Sequence, residues 1–167
     1  MLGFRNVVGQ GQPLCRWIIA NTVVDVMPSD LEVLGFSDKW LGQTLEQARF
    51  VQLRDGIAIR VASAPCFLAL KLQAFQERGA DDYFGSRDIE DIVTIISGRA
   101  ELIDELDDCD SDVCRFVCAS IAGLLRVDRF VDSLVGHLAG DELQYERVML
   151  RLARIEELAA ARMSRDS

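Results

Sequence analysis

Asp25 stands in a β-branched run, Thr22-Val23-Val24-Asp25-Val26-Met27-Pro28, where a buried strand would carry an apolar side chain. Strand alternation puts Val24 and Val26 on one face and Val23, Asp25 and Met27 on the other. An ionised carboxylate between Val23 and Met27 must face water or a cleft, be paired, or hold a cation, because burying it alone is costly. Two basic groups follow at Lys71 and Arg78, seven residues apart on a predicted helix and therefore projecting from nearly the same side. Read alone, they form a solvated stripe whose aliphatic stems lie along the surface. Asp88, Glu90 and Asp91 open the next predicted helix, where the helix dipole favours anions. Read alone, Asp91 pairs with Arg87, four residues back.

Short elements must position these groups. Leu14 to Ile19 reads as a strand, and Ala20-Asn21 is short enough to fold it antiparallel onto the Asp25 strand. Gly9 to Pro13 reads as a connector and carries no chemistry. After Pro28, Ser29 and Asp30 suit a helix cap and Gly35 its close. Lys39 to Ala48 reads as a helix or an irregular lid anchored by Trp40. Val51 to Arg54 and Ile57 to Val61 flank Asp55-Gly56, a dipeptide that tolerates the positive φ of a tight two-residue hairpin turn. Pro65 fits the start of a core helix running through Phe67, Leu68, Leu72 and Phe75 to Gly79. Ser86 is a suitable cap for a helix through Ile89, Ile92, Val93 and Ile96 that stops near Gly98.

Beyond Arg99 the pattern is helical throughout: Glu101 to Leu106, Asp112 to Leu125 capped by Asp112, Asp128 to Leu138, and Asp141 to Met163. In the last of these, Tyr145, Met149, Leu152, Ile155 and Ala159 form an apolar stripe that packs on the body or on a partner. Ser164 to Ser167 reads as a tail. The expected fold class is α+β: a small mixed or antiparallel sheet flanked by helices, followed by an all-helical C-terminal half. The expected division is an α+β core over residues 1–99 and a helical region over 100–167 packed on it.

Half of the residues are apolar, enough for a real core. A formal charge of -9 and a pI near 4.6 disfavour non-specific attraction to nucleic acid or to an anionic membrane. The start has no secretion-signal layout and the longest apolar run, Val113 to Leu125, is too short and too interrupted for a span, so the expected location is the cytoplasm. Cys15, Cys66, Cys109, Cys114 and Cys118 are odd in number and contain no C-x-x-C pair, which suits a reducing compartment. Cys114 and Cys118, one turn apart, could begin a metal site, but His137 is the lone histidine, and the reading is of buried core thiols.

Taken together, Cys15-Arg16-Trp17, Val24-Asp25-Val26-Met27-Pro28, Leu34-Gly35-Phe36-Ser37, Ala64-Pro65 to Arg78-Gly79, and Ser86-Arg87-Asp88-Ile89-Glu90-Asp91-Ile92 resemble the nucleotidyltransferase-like proteins related to abortive-infection toxins. The likeness covers roughly Met1 to Glu105. It implies a truncated nucleotidyltransferase-like sheet, carboxylates that hold Mg²⁺ against a nucleoside triphosphate, and transfer of a nucleoside monophosphate to an acceptor hydroxyl. By position the resemblance makes Asp25 the metal carboxylate. It makes Lys71 a phosphate neutraliser and Asp91 the group that orients phosphate or acceptor, with Arg78 and Asp82 as weaker candidates for the same work.

One part of the family pattern is missing. The family carries a Gly-Ser turn and a D-x-D carboxylate pair upstream of the segment resembling Leu2-Gly3-Phe4, and no D-x-D precedes Asp25 here. Mg²⁺ at a catalytic site wants more than one protein carboxylate. Turnover is therefore not expected of this chain by itself. The alternative expectation is a non-catalytic binding or interaction module, homodimeric or held to a partner protein, with its sheet edge covered by the dimer or by a strand from Phe4 to Val8. An enzyme would bring Asp25, Lys71 and Asp91 together; an interaction module would pair them off separately.

Overall fold

The structure, a computed structural model, describes residues 3–7, 15–26, 39–78, 81–109 and 111–165. The expected Gly9 to Pro13 connector, Met27, Pro28, the Ser29-Asp30 cap with Gly35, the 34–37 segment and the Gly79 stop lie outside them. The chain divides into two compact units, Met1–Lys39 and Trp40–Ser167. Described elements of both strand and helix type make the class α+β.

The first unit carries a three-stranded antiparallel sheet in the order β1-β2-β3, with β1 at Arg5–Asn6, β2 at Arg16–Ile19 and β3 at Thr22–Asp25. The two-residue connection Ala20-Asn21 sets Ile19 opposite Thr22 and, three pairs along the ladder, Arg16 opposite Asp25. Ala20 sits at φ +50°, the left-handed region that the tight turn demands. The segment that suggested an added strand, Phe4 to Val8, supplies β1, whose Arg5 and Asn6 pair with Ile18 and Trp17.

The second unit begins with Trp40, buried with its ring 5.0 Å from that of Phe116. The segment after it is helix α1 (Leu41–Gln47), so the helix alternative holds over the lid and Trp40 is the anchor. Strands β4 (Arg49–Gln52) and β5 (Ala58–Val61) form a separate antiparallel hairpin. Its connection is longer than the expected two residues: the Leu53 N–H donates to the Ile57 carbonyl at 2.7 Å, leaving Arg54, Asp55 and Gly56 as the turn. Asp55 at φ +64° and Gly56 at φ +75° carry the positive dihedrals that the dipeptide signalled.

Helices α2 (Ala64–Arg78), α3 (Arg87–Gly98), α4 (Leu102–Asp107), α5 (Asp112–Leu124), α6 (Asp128–His137) and α7 (Glu142–Arg165) complete the unit. Helix α2 is apolar on most of its circumference and is wrapped by α1, α3, α4 and α5, with Leu68, Ala69 and Leu72 buried. Of the stripe expected on the last helix, Leu152, Ile155 and Ala159 are buried, joined by Val148, while Tyr145 and Met149 are half-buried; the helix packs against α5, α3 and α4. Helices on either side of residue 99 thus share one core.

Three expectations need correction. Ser111, not Asp112, caps α5: its hydroxyl accepts the Cys114 N–H, while Asp112 is the first helical residue and pairs with Arg115 at 2.8 Å. A hydroxyl at the position just before the helix is placed to reach the free N–H groups of its first turn. Ser164 and Arg165, read as tail, continue α7. Cys109 and Cys114 are not core thiols but a disulfide, which closes the α4–α5 connection on itself; Cys66 and Cys118 are buried thiols as expected. No described helix is long and apolar enough to cross a membrane.

Candidate functional site

Lys71 and Arg78 project from α2, two turns apart, toward α3, whose first turns present Asp88 and Asp91 one turn apart. The Lys71 Nζ lies 2.5 Å from Asp91 Oδ2 and 3.2 Å from Asp88 Oδ1. The Arg78 guanidinium reaches the other oxygen of Asp88 at 3.3 Å. Asp88 is the hub of this network, with its side chain only 10% accessible and both oxygens taken. The ammonium of Lys71 also stands 5.6 Å from the centre of the Phe67 ring, whose face favours a cation.

Local structure explains why the anions sit there. Ser86 caps α3, its hydroxyl accepting the Ile89 N–H, so Asp88 falls in the first turn, next to unpaired backbone N–H groups and the positive end of the helix dipole. Burial works against the charge of Lys71, but the hydrogen bonds and charges of Asp91 and Asp88 outweigh it and hold its ammonium above the ordinary lysine range. Two cations face two anions, so the network is neutral. The ammonium already gives two of its three N–H donors to these carboxylates, so a phosphate reaching Lys71 competes with them for its charge.

Asp25 belongs to the first unit. Cross-strand register places it opposite Arg16, and the guanidinium grips it with two parallel bonds, Nε to Oδ1 and Nη2 to Oδ2, both 2.9 Å. The hydrogen bond from Arg16 holds the Asp25 carboxyl below the usual carboxylate range. Asp25 meets two of the three outcomes open to it: it is exposed on β3, the last described strand of its sheet, and it is paired with Arg16. Mg²⁺ takes several hard oxygen ligands, and at Asp25 it would meet the Arg16 charge beside a carboxylate whose two oxygens each already accept a guanidinium N–H. Among the described residues no group of three His, Cys, Asp or Glu side chains is placed to hold a metal ion.

Asp82 has a structural task. Its Oδ1 accepts the Gly85 N–H at 2.9 Å and its carbonyl accepts the Ser86 N–H at 3.2 Å, which turns the chain into the α3 cap. A Cβ at Gly85 would meet Asp82 Oδ2 at 2.8 Å, so a larger residue there would push the Asp82 carboxylate aside. His137 is likewise spent, its Nε2 2.8 Å from the Tyr83 carbonyl.

The structure thus joins Lys71, Arg78 and Asp91 in one cluster and engages Asp25 with Arg16 in the other unit. The pairing of Asp91 with Arg87 gives way to Lys71, because α2 packs along the face of α3 that carries Asp91. Two important residues were passed over. Asp88 lies four residues before Ile92 and eight before Ile96, on the buried stripe itself, and that register is the signal that could have found it. Arg162 carried no local signal: from α7 it donates to the carbonyls of Leu106 and Cys109 and to the Cys118 sulfur. Comparison with family models, with curated proteins and with solved structures returns no match.

Proposed function

We propose that this chain is a non-catalytic interaction module built on a nucleotidyltransferase-like scaffold. The observation that carries the reading is the bidentate Arg16–Asp25 pair, which occupies the one carboxylate that the family resemblance assigns to Mg²⁺. The Lys71–Asp91 pair supports it as well, since the cation assigned to phosphate is already neutralised by its helix partners. In this reading both pairs are structural: one fixes strand register and the other clamps α2 to α3. The transfer reaction of the family is then left to a polypeptide that brings its own metal carboxylates.

A second reading keeps the nucleotide. Lys71, Arg78 and Asp91, which the resemblance places at one end of a nucleotide site, do meet in one cluster. Under this reading a triphosphate with Mg²⁺ opens the ion pairs and takes Lys71 and Arg78 for itself.

Calorimetric titration of the full chain with Mg²⁺ and each nucleoside triphosphate, repeated on Asp25→Ala and Lys71→Ala, separates the two. The interaction-module reading expects no Mg²⁺-dependent heat that either substitution removes. Binding that needs Mg²⁺ and disappears in Asp25→Ala overturns it and installs the nucleotide reading.

A further inference from the structure

Six of the fifteen exposed large apolar side chains among the described residues fall between positions 50 and 61, in the β4–β5 hairpin. Phe50 is 75% accessible and Ile57 57%. Every residue of both strands is exposed, and the two strands form a sheet to which no other described strand is added. The Leu53–Ile57 hydrogen bond sets the phase of the ladder. Alternation then turns the backbone polar groups of Phe50 and Gln52 outward from β4, and those of Ala58 and Arg60 outward from β5. Two strands without a third are marginal in water, and an apolar open edge is a template for strand addition. The hairpin also departs from the charge of the chain: Arg49, Arg54 and Arg60 against Asp55 make it net positive in a protein of formal charge -9.

We propose that the β4–β5 hairpin is a docking edge for an extended, acidic, Val- or Ile-bearing segment of a partner protein, which adds to it as a third strand. The inference rests on the interaction-module reading and names its partner's chemistry. Main-chain hydrogen bonds along the open edge supply the affinity, the apolar side chains cover Phe50 and its neighbours, and carboxylates answer Arg54 at the turn, Arg60 being bonded to the Leu45 carbonyl. A second copy of this chain is the poorer occupant, because two net positive hairpins would then meet.

The test uses the full chain and two fluorescein-labelled peptides of about eight residues, one alternating valine with glutamate and one alternating valine with lysine, a length matching a typical strand. The glutamate peptide is expected to bind about tenfold more tightly, with affinity falling as salt is added. It should slow amide exchange at Phe50 and Gln52 or at Ala58 and Arg60. Arg54→Glu, at the exposed turn, should weaken the glutamate peptide with an unchanged circular dichroism spectrum.

Equal affinity for both peptides, or binding with unchanged exchange across 49–61, overturns the proposal. So does a peptide-free dimer that Phe50→Glu converts to monomer, since the occupant is then a second copy. These results leave the nucleotide titrations untouched, and Asp25-dependent triphosphate binding would overturn the interaction-module reading while leaving the peptide result standing.

Discussion

Lys71 on α2 and Asp88 on α3 stand 3.2 Å apart with Asp88 almost wholly covered, so the two helices are joined by a charge pair set at the margin of an apolar interface. Removing Lys71 leaves the buried Asp88 with only the more exposed Arg78 to compensate it and takes the partner from Asp91. Lys71→Met should therefore destabilise the fold by about 1–3 kcal/mol in a urea titration. Asp91→Asn should cost less, since Asp91 is the more exposed carboxylate and Lys71 keeps Asp88. Equal losses in the two variants would show that Asp88 is not the hub.

The same pair sets an alkaline limit. The folded lysine holds its proton more tightly than an unfolded one, so its contribution is whole below about pH 10.4 and is lost as pH rises through the higher folded value. Denaturation midpoints of the wild type should fall more steeply across that range than those of Lys71→Met. Parallel curves would refute the coupling.

At the acid end the relevant pair is Arg99–Glu105, with Nε 2.7 Å from Oε2 and Nη2 2.5 Å from Oε1. The hydrogen bond from Arg99 holds the Glu105 carboxyl below the usual glutamate range. Its contribution is present above an unfolded value of about 4.3 and disappears as pH falls through the lower folded one. Glu105→Gln should flatten the loss of stability below that pH, measured by the same titration.

The corrected cap makes its own prediction. Ser111→Ala should cost about 1 kcal/mol of stability, as loss of an N-cap hydroxyl does, whereas Asp112→Ala, which removes an exposed pair with Arg115, should cost less. A larger loss at Asp112 would return the cap to that residue.

The Cys109–Cys114 disulfide closes a short loop, for which chain entropy suggests roughly 2 kcal/mol of stabilisation. Its reach is longer than its loop, because carbonyls at Leu106 and Cys109 hold Arg162 near the end of α7. Cys109→Ser with Cys114→Ser should speed amide exchange in the last turns of α7 while sparing α2. Exchange that stays unchanged around Arg162 would show that the loop keeps its shape without the bond.

Period, caps and turn chemistry, all local properties, made much of the architecture readable from the chain. Alternation marked the strands around Asp25 and Asp55-Gly56, the three-to-four spacing of Leu152, Ile155 and Ala159 marked the buried face of α7, and Ser86 marked the start of α3. Side-chain partners were not readable in the same way. Whether Asp25 met water, a cation or Arg16 depended on the register across a two-residue turn, and whether Asp91 took Arg87 or Lys71 depended on which face α2 laid against α3. Asp88 was visible as a helix-start carboxylate, but its burial followed from the packing of α2 over the first turn of α3. The grip on Arg162 likewise required α7 to be brought against α4 and α5, while the Cys109–Cys114 bond needed only the short α4–α5 connection to fold back on itself. Sequence determined which elements form, because their signals lie within a few residues; tertiary structure alone decided which charges neutralise one another, because a Coulomb contact depends on distance in space.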